Sequence, residues 1–386
     1  MPKKPDGNVK KLFFAALFFA ALILGAAAPT VITFGVPAES SAEAMCVLEA
    51  SARRVLYEKN ADARLANAST TKILTAITVL ENCPDIKKIH RVPDCAAGVE
   101  GSSVYLEKGE PLSVEDLLYG LMLQSGNDCA EALAIITSGS LGGFAALMNG
   151  TAAKAGAKNS NFITPHGLDR DGHFTTARDL ALITAYALQN PEFSKIAAAK
   201  RYSAPRAGKP GGRLIINKNR LLDSFEGCDG VKTGYTSKAG RCYVSSATRD
   251  GMRVVSVVLN CGPMFEECAA FMSRAFNEYK PVAVLQPLDS VGAVKIEECA
   301  DEQTQVGSLD MITLPLANGE AEALSFEICG VKRLKAPQKA GTEVGILKIT
   351  LQNELLFEGN LYIIEDAGAK NLSDRLRDIA DGWSRE

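Results

Sequence analysis

The sequence predicts an α+β protein: an antiparallel sheet flanked by helices with a helical subdomain, followed by a small C-terminal all-β domain. Three observations predict this fold class. Strand-like runs lie at both ends of residues 45–280, and helical periodicity lies between them. Asp250-Gly251 separates two β-rich runs, which is a hairpin signal. Beyond residue 281, short β-rich runs alternate with Gly, Pro, Asn and Asp. Strands on both sides of a helical stretch favour an antiparallel sheet covered by helices.

The N-terminus has the three-part order of a secretory signal. Four lysines precede an apolar run, Leu12–Ala28, and a small-residue segment ends at Ala42-Glu43-Ala44. We therefore expect residues 1–44 to be a signal peptide, removed after Ala44, and the mature chain to be exported. A retained membrane anchor stays open as an alternative, because the apolar stretch approaches the ~20 residues that span a bilayer.

The elements of residues 45–280 follow in order. The predicted helices have apolar residues at helical spacing and cover 69–81, 114–124, 130–137 and 180–188. Ser113 with Asp116 and Thr176 with Asp179 are capping signatures that predict where two of these helices begin. The predicted strands are rich in β-branched residues and cover 45–57, 230–235, 241–248 and 252–259.

A domain boundary is predicted near Tyr279-Lys280-Pro281. Residues 281–366 form the predicted β-rich domain, and residues 367–386 form a tail with a candidate amphipathic helix. Its apolar face would consist of Leu372, Leu376, Ile379, Ala380 and Trp383. The polar face is slightly acidic, unlike the basic face of most membrane-surface helices, so weak contact with a membrane surface is left open.

Composition excludes some classes of partner and leaves the disulfide state open. The net charge is −3 and no basic stripe occurs beyond the N-terminus, which argues against a nucleic-acid partner. The ten cysteines are scattered without metal-ligand spacing, so we expect no metal and no cofactor. Cys83 and Cys95 form a candidate disulfide across a loop.

The first candidate constellation is Ser69-Thr70-Thr71-Lys72 at the start of a predicted helix. Positions i and i+3 share a helix face, so the Ser69 hydroxyl and the Lys72 amine can be neighbours. A serine needs an adjacent base to become a nucleophile, and a buried lysine with a lowered pKa can serve. Taken alone, the motif is more simply a helix cap.

The second constellation is Ser125-Gly126-Asn127, a polar loop between two apolar helices. Taken alone it is a turn. In an active site, Ser125 would relay a proton to the leaving amine, and the Asn127 side chain would hold the backbone amide of the substrate.

The third constellation is Lys232-Thr233-Gly234 on a predicted strand. Lys232 and Thr233 could together bind a terminal carboxylate. Gly234 would let a substrate backbone lie against the strand. The N–H groups of Tyr235 and Ser69 would form an oxyanion hole. Taken alone, the motif is a strand end with a surface lysine.

The three motifs in this order are a known signature of β-lactamases and penicillin-binding proteins. With them, the chain resembles the low-molecular-mass penicillin-binding D-alanyl-D-alanine carboxypeptidases, peptidase family S11, which have a β-lactamase/transpeptidase-like fold. The resemblance covers nearly the whole mature chain. The further segments that carry it are 56–62, 68–75, 164–168, 175–180, 231–240 and 335–345.

The resemblance implies a serine-type carboxypeptidase that removes the terminal D-alanine from peptidoglycan pentapeptide stems. Ser69 would be the acyl-ester nucleophile, Lys72 its proton acceptor, Ser125 part of the proton path, and Lys232 the carboxylate-binding group. β-Lactam antibiotics would be covalent inhibitors. The enzyme would act outside the cytoplasm, in the cell wall or on the outer face of the cytoplasmic membrane.

The sequence departs from the family pattern in one place. Some relatives carry an arginine after the strand 252–259 that helps to hold the terminal carboxylate. Here the segment is Asn260–Phe265, followed by two glutamates. Lys232 and Thr233 would therefore act without that arginine.

Two alternatives belong to other classes. A class A β-lactamase shares the three motifs but needs a glutamate to activate the deacylating water, and no glutamate occurs between Glu131 and Glu192. A non-catalytic peptidoglycan-binding protein would not need the complete motif set. His166 and His173 are expected to be structural, because the Ser–Lys scheme uses no histidine.

Overall fold

A computed structural model of the chain describes residues 40–206, 211–299 and 301–376. The helices are α1 (Lys72–Asn82), α2 (Val114–Leu123), α3 (Asn127–Ser138), α4 (Leu141–Ala155), α5 (Ala177–Ala187), α6 (Pro191–Ala198), α7 (Leu221–Ser224) and α8 (Met264–Glu278). The strands of the first domain are β1 (Ala44–Glu49), β2 (Arg54–Lys59), β3 (Ile89–Arg91), β4 (Pro111–Ser113), β5 (Arg201–Ala204), β6 (Arg213–Ile216), β7 (Cys228–Thr236), β8 (Gly240–Arg249) and β9 (Met252–Leu259). The predicted α+β class is confirmed.

A five-stranded antiparallel sheet with the order β2-β1-β9-β8-β7 forms the centre of the first domain. Side chains alternate between its two faces, as they do in any strand. Val244 of β8 belongs to the core shared with the helical subdomain. Its neighbour Tyr243 packs instead on Phe265 of α8, with the ring centroids 4.8 Å apart. The sheet therefore lies between the helical subdomain and α8, with β7 at its edge.

Capping chemistry decides where several helices begin. Ser113 and Asp116 form the predicted capping box before α2, with the Asp116 N–H donating to Ser113 Oγ over 3.0 Å. The Thr176 hydroxyl accepts from the Asp179 N–H over 3.0 Å and so caps α5. The helix predicted from Ser69 begins three residues later than expected, because residues Ala68–Thr71 form a 3₁₀ turn. The pattern missed α8, which begins after Pro263 without a side-chain cap.

The C-terminal domain is all β. Its strands are β10 (Tyr279–Leu285), β11 (Ser290–Glu297), β12 (Gln303–Gly307), β13 (Ile312–Ala317), β14 (Leu324–Cys329), β15 (Leu334–Lys335), β16 (Glu343–Leu351) and β17 (Glu354–Ile363). Six of them form one sheet with the order β14-β16-β17-β12-β11-β15, and β10 pairs with β13. The predicted boundary near Tyr279 coincides with the end of α8 and the start of β10.

Arg54 of β2 joins the first domain to the C-terminal domain. Its guanidinium makes two 2.7 Å hydrogen bonds to the Glu320 carboxylate and one of 2.7 Å to the Pro315 carbonyl. It also stacks over the Tyr279 ring, 5.2 Å from the centroid. A buried, bidentate arginine fixes geometry as well as supplying attraction, so these contacts set the orientation of the two domains.

The N-terminal part of the described chain is packed on the fold. Ser40 and Ser41 both donate hydrogen bonds to the Glu267 carboxylate, at 2.8 and 2.7 Å. Ala44 is the first residue of β1 and is fully buried. Removal of residues 1–44 would therefore take five packed residues from the domain. The rest of the predicted signal, residues 1–39, lies outside the described residues.

Three further expectations concern cysteines, tail and membrane. All ten cysteines are free thiols, and Cys83 hydrogen-bonds Thr137 instead of bridging to Cys95. Residues 377–386 of the predicted tail helix lie outside the described residues. Within the described ranges no single helix is long and apolar enough to cross a bilayer, although the bent pair α3 and α4 meets the criteria of length and composition.

Candidate active site

Ser69 lies in the 3₁₀ turn that leads into α1. The buried Asn67 amide donates hydrogen bonds of 3.0 Å to the hydroxyls of Thr70 and Thr71 and so holds the turn. Strand β7 lies directly against it, since a Cβ added to Gly234 would be 2.9 Å from the Ser69 backbone nitrogen. Because real Cβ atoms do not approach so closely, glycine is required here.

A second glycine brings a loop against the same turn. Gly167 has φ +83°, and a Cβ there would lie 1.9 Å from the Ala68 carbonyl oxygen. Glycine adopts this conformation at little cost. The close approach places the carbonyl of His166 beside the amine of Lys72, which donates to it over 2.8 Å.

The Lys72 amine occupies the centre of the site. It lies 2.8 Å from Ser69 Oγ and 2.7 Å from the side-chain oxygen of Asn127. Burial lowers the pKa of Lys72 well below its usual value, and the positive charges of Lys232 and Lys218 lower it further. A neutral amine this close to a hydroxyl can accept its proton, which activates Ser69 for attack on a carbonyl.

The second motif, Ser125-Gly126-Asn127, lies where α2 ends and α3 begins. The Asn127 amide donates 2.6 Å to the carbonyl of Glu100, so both ends of its carboxamide are bound within the protein. Its predicted contact with a substrate amide stays a prediction. Ser125 is buried with φ +66° in this loop. Among the described residues, neither Ser69 nor Lys72 hydrogen-bonds its hydroxyl, so its part in the proton path also stays a prediction.

Asp128 is a supporting residue that sequence reasoning missed. Its fully buried carboxylate accepts hydrogen bonds from the Ser103 hydroxyl at 2.6 Å and from the backbone N–H groups of Val104 and Leu106 at 3.1 and 3.0 Å. It thereby holds the loop that covers Asn127. A charged residue between two apolar helices was the available signal, because a buried carboxylate requires partners.

Lys232 and Thr233 project from opposite faces of β7. Lys232 pairs with Val244 and faces the helical subdomain, whereas Thr233 pairs with Tyr243 and faces α8. Lys232 is fully buried and donates a 2.8 Å hydrogen bond to the Thr233 carbonyl. Burial, with a contribution from Lys218, lowers the pKa of Lys232 to about 7. Lys218 is a third lysine of the site, and nothing in its sequence context marked it.

The two histidines, which were expected to be structural, make hydrogen bonds within their loop and to the neighbouring 3₁₀ turn. His173 joins the loop to the 3₁₀ turn through its Nε2, 3.0 Å from the Thr71 hydroxyl, and its Nδ1 accepts from the Ile163 N–H. His166 Nδ1 accepts from the Leu168 N–H. Burial lowers the pKa of His166 to about 3 and that of His173 to about 4, so both rings are neutral at pH 7.

Residues from three separate stretches of sequence therefore meet at one edge of the sheet. Lys72 contacts both Ser69 and Asn127, and Gly234 abuts the turn that carries Ser69. This contact brings the N–H of Ser69 close to β7, as the predicted oxyanion hole with Tyr235 requires. The arrangement suits transfer of an acyl group to a serine.

Two family models match the chain. The model described as D-alanyl-D-alanine carboxypeptidase, Peptidase_S11, matches residues 31–262. The model of the C-terminal domain of penicillin-binding protein 5 matches residues 279–368. The two matches therefore cover both domains.

Individual relatives agree with the family models. D-alanyl-D-alanine carboxypeptidase DacF of Bacillus subtilis is 30% identical over 354 residues, covering 89% of this chain and 90% of its own. DacC of Escherichia coli is 32% identical over 354 residues, covering 88% and 87%. The crystal structure of penicillin binding protein 5 from Haemophilus influenzae matches with a TM-score of 0.73 and 27% identity, covering 86% of this chain and 99% of that one.

Proposed function

Because the chain belongs to the peptidase S11 family of D-alanyl-D-alanine carboxypeptidases, we propose that Ser69, Lys72 and their neighbours carry out its reaction. The protein is a penicillin-binding serine hydrolase, and the family implies a peptidoglycan stem peptide as substrate and β-lactams as ligands. The assignment of the individual steps to residues is our proposal.

The proposed reaction has two steps. Ser69 attacks the carbonyl of the penultimate D-alanine, while Lys72 takes the hydroxyl proton. The proton passes to the leaving nitrogen by way of Ser125, and terminal D-alanine departs. Water then attacks the acyl-serine ester while Lys72 takes its proton. Lys72 returns this proton to the Ser69 oxygen as the ester bond breaks, and the shortened peptide leaves. The N–H groups of Ser69 and Tyr235 stabilise the oxyanion in both steps.

The contact between Lys72 and Ser69 carries this proposal. The two side chains lie 2.8 Å apart, and burial holds the pKa of the amine well below its usual value. A lysine whose pKa is lowered in this way and that adjoins a serine hydroxyl supplies a base without a histidine. Gly234 supports the proposal, since it lets an extended peptide approach the turn.

A labelling experiment tests the assignment. Purified protein is incubated with a fluorescent penicillin, and the covalent adduct is followed by gel and mass spectrometry. We expect one label per chain in the wild type, and none in Ser69→Ala or Lys72→Ala, provided that each variant is folded. Release of D-alanine from a pentapeptide, followed by mass spectrometry, measures the reaction itself. An adduct that persists in Ser69→Ala would refute the assigned nucleophile.

The same experiment addresses the two alternatives. A serine β-lactamase would release the hydrolysed antibiotic in repeated turnovers, whereas we expect stoichiometric labelling and slow release. A non-catalytic peptidoglycan-binding protein would give a folded wild type without an adduct. Neither alternative is favoured by the family match.

Location is the remaining part of the proposal. The N-terminal signal pattern supports export, with the enzyme acting on the cell wall or at the outer face of the membrane. Leu372 and Leu376 are exposed at the start of the tail, and their i, i+4 spacing supports weak attachment to a membrane surface. Flotation with liposomes should be lost in a version that ends at Lys370. Equal flotation of the two versions would show that the tail does not attach the protein to the membrane.

A further inference from the structure

An exposed carboxylate lies beside β7, on the face of the strand that meets Ser69. Asp169 Oδ1 accepts a 3.0 Å hydrogen bond from the Thr236 hydroxyl. Thr236 is two residues after Gly234 in β7, and alternate residues of a strand share a face. The Thr236 side chain therefore projects from the same face as Gly234, at which a Cβ would lie 2.9 Å from the Ser69 backbone nitrogen.

The loop that carries Asp169 is also held against the 3₁₀ turn of the nucleophile. Gly167, two residues before Asp169, packs so closely on this turn that a Cβ would lie 1.9 Å from the Ala68 carbonyl oxygen. The preceding carbonyl, that of His166, accepts the 2.8 Å hydrogen bond from the Lys72 amine. Asp169 is therefore tied to the site twice, through its backbone to the turn and through its side chain to β7.

The proposed reaction gives the substrate a direction along β7. The terminal carboxylate is assigned to Lys232 and Thr233, and the oxyanion hole includes the N–H of Tyr235. The acyl part of the peptide lies on the opposite side of the attacked carbonyl from the leaving D-alanine, so it extends past Tyr235 toward Thr236. Successive residues of an extended chain are about 3.3 Å apart. The residue before the penultimate D-alanine, stem position three, therefore lies beside Thr236 and Asp169.

The Asp169 carboxylate has room for a cationic partner. Its side chain is exposed, and among the described residues no lysine or arginine forms an ion pair with it. The hydrogen bond from Thr236 is made to one of its two oxygens. Because a carboxylate offers about four acceptor sites, it can receive an ammonium group while it keeps the contact with Thr236.

We propose that Asp169 selects stem peptides whose third residue has a side chain ending in a free ammonium group, and that Thr236 positions the carboxylate. The inference rests on the proposed carboxypeptidase function and adds a substrate class for the same site. Lysine and diaminopimelate both supply such an ammonium group, and diaminopimelate adds a carboxylate beside it. An exposed ion pair is weak and is screened by salt, so it favours one substrate over another without taking part in the chemistry.

Four peptides that end in D-Ala-D-Ala and differ only at position three test the proposal. The residue there is lysine, diaminopimelate, Nε-acetyl-lysine or norleucine. At low ionic strength we expect the wild type to have a kcat/KM roughly two- to fivefold higher for lysine than for acetyl-lysine or norleucine. The preference should shrink in high salt. A matching preference for diaminopimelate would support recognition of the ammonium group from either source, and a preference for lysine alone would support it for a side chain without a carboxylate.

Two variants separate recognition from general damage. Asp169→Asn keeps an oxygen that accepts from Thr236 but has no charge, so it should lose the preference through a lower kcat/KM on the ammonium peptides alone. Asp171→Asn removes another exposed carboxylate of the same loop and should leave all four kcat/KM values unchanged. Equal losses on all four peptides in Asp169→Asn, or a wild type that does not prefer lysine to norleucine, would refute the role of Asp169. Absence of wild-type acylation by benzylpenicillin would instead refute the proposed function.

Discussion

Replacement of Lys232 by methionine should make the protein more stable and less active. Methionine has nearly the same length but no charge. The ammonium of Lys232 is fully buried, and its pKa is lowered from 10.5 to about 7. The folded state therefore binds this proton far more weakly than the unfolded chain does. Between pH 7 and 10.5 the unfolded state holds more protons, so stability rises with pH across this window.

The magnitude follows from these values. The difference in pKa between 10.5 and about 7, at about 1.36 kcal/mol per pH unit, corresponds to about 4 kcal/mol of unfolding free energy lost at pH 7. Loss of the hydrogen bond to the Thr233 carbonyl offsets about 1 kcal/mol. We expect Lys232→Met to gain about 2–3 kcal/mol at pH 7, a rise in Tm of roughly 5–10 °C, and almost nothing near pH 10.5.

Thermal melts from pH 6 to pH 10.5, paired with labelling by fluorescent penicillin, measure both effects. Lys238→Met is the control, because Lys238 is exposed just beyond the same strand and its removal should not change the pH dependence. Penicillin acylation should fall by roughly ten- to a hundredfold in Lys232→Met. A variant that melts below the wild type at pH 7, or a gain that does not shrink with rising pH, would show that Lys232 is not a destabilising buried charge.

Three further changes test other parts of the structure. Gly234→Ala puts a Cβ against the backbone of the 3₁₀ turn that carries Ser69 and should reduce the acylation rate roughly a hundred- to a thousandfold. The control is Gly150→Ala, which adds a Cβ in open space within α4 and should leave the acylation rate unchanged. Arg54→Met should uncouple the two domains, seen as a protease-sensitive C-terminal domain with the acylation rate retained; an unaltered digestion pattern would contradict this. Lys218→Met removes a positive charge that lowers the pKa values of Lys72 and Lys232. The acidic limb of the pH–acylation profile should therefore move to higher pH. An acidic limb at the same pH would show that Lys218 is not coupled to these two lysines.

The sequence alone predicted which residues would meet at the candidate site, and it predicted the fold class. Ser69, Lys72 and Asn127 could be singled out because their motifs have fixed spacing and each sits at the end of a periodic segment. Helix starts at Ser113 and Thr176 were predictable, since capping is a local interaction between residues three apart. Strand β9 was predicted with its observed limits, Met252–Leu259, because the Asp-Gly turn before it is also a local signal.

Only the tertiary structure decided how these parts act on each other. The lowered pKa of Lys72 results from burial and from two lysines that are distant in sequence, and burial is a property of packing. The face from which Lys232 projects depends on the register of β7 with β8, and the motif does not contain that register. Asp128 carries no motif at all. Its role follows from contacts across the fold, which local spacing cannot specify.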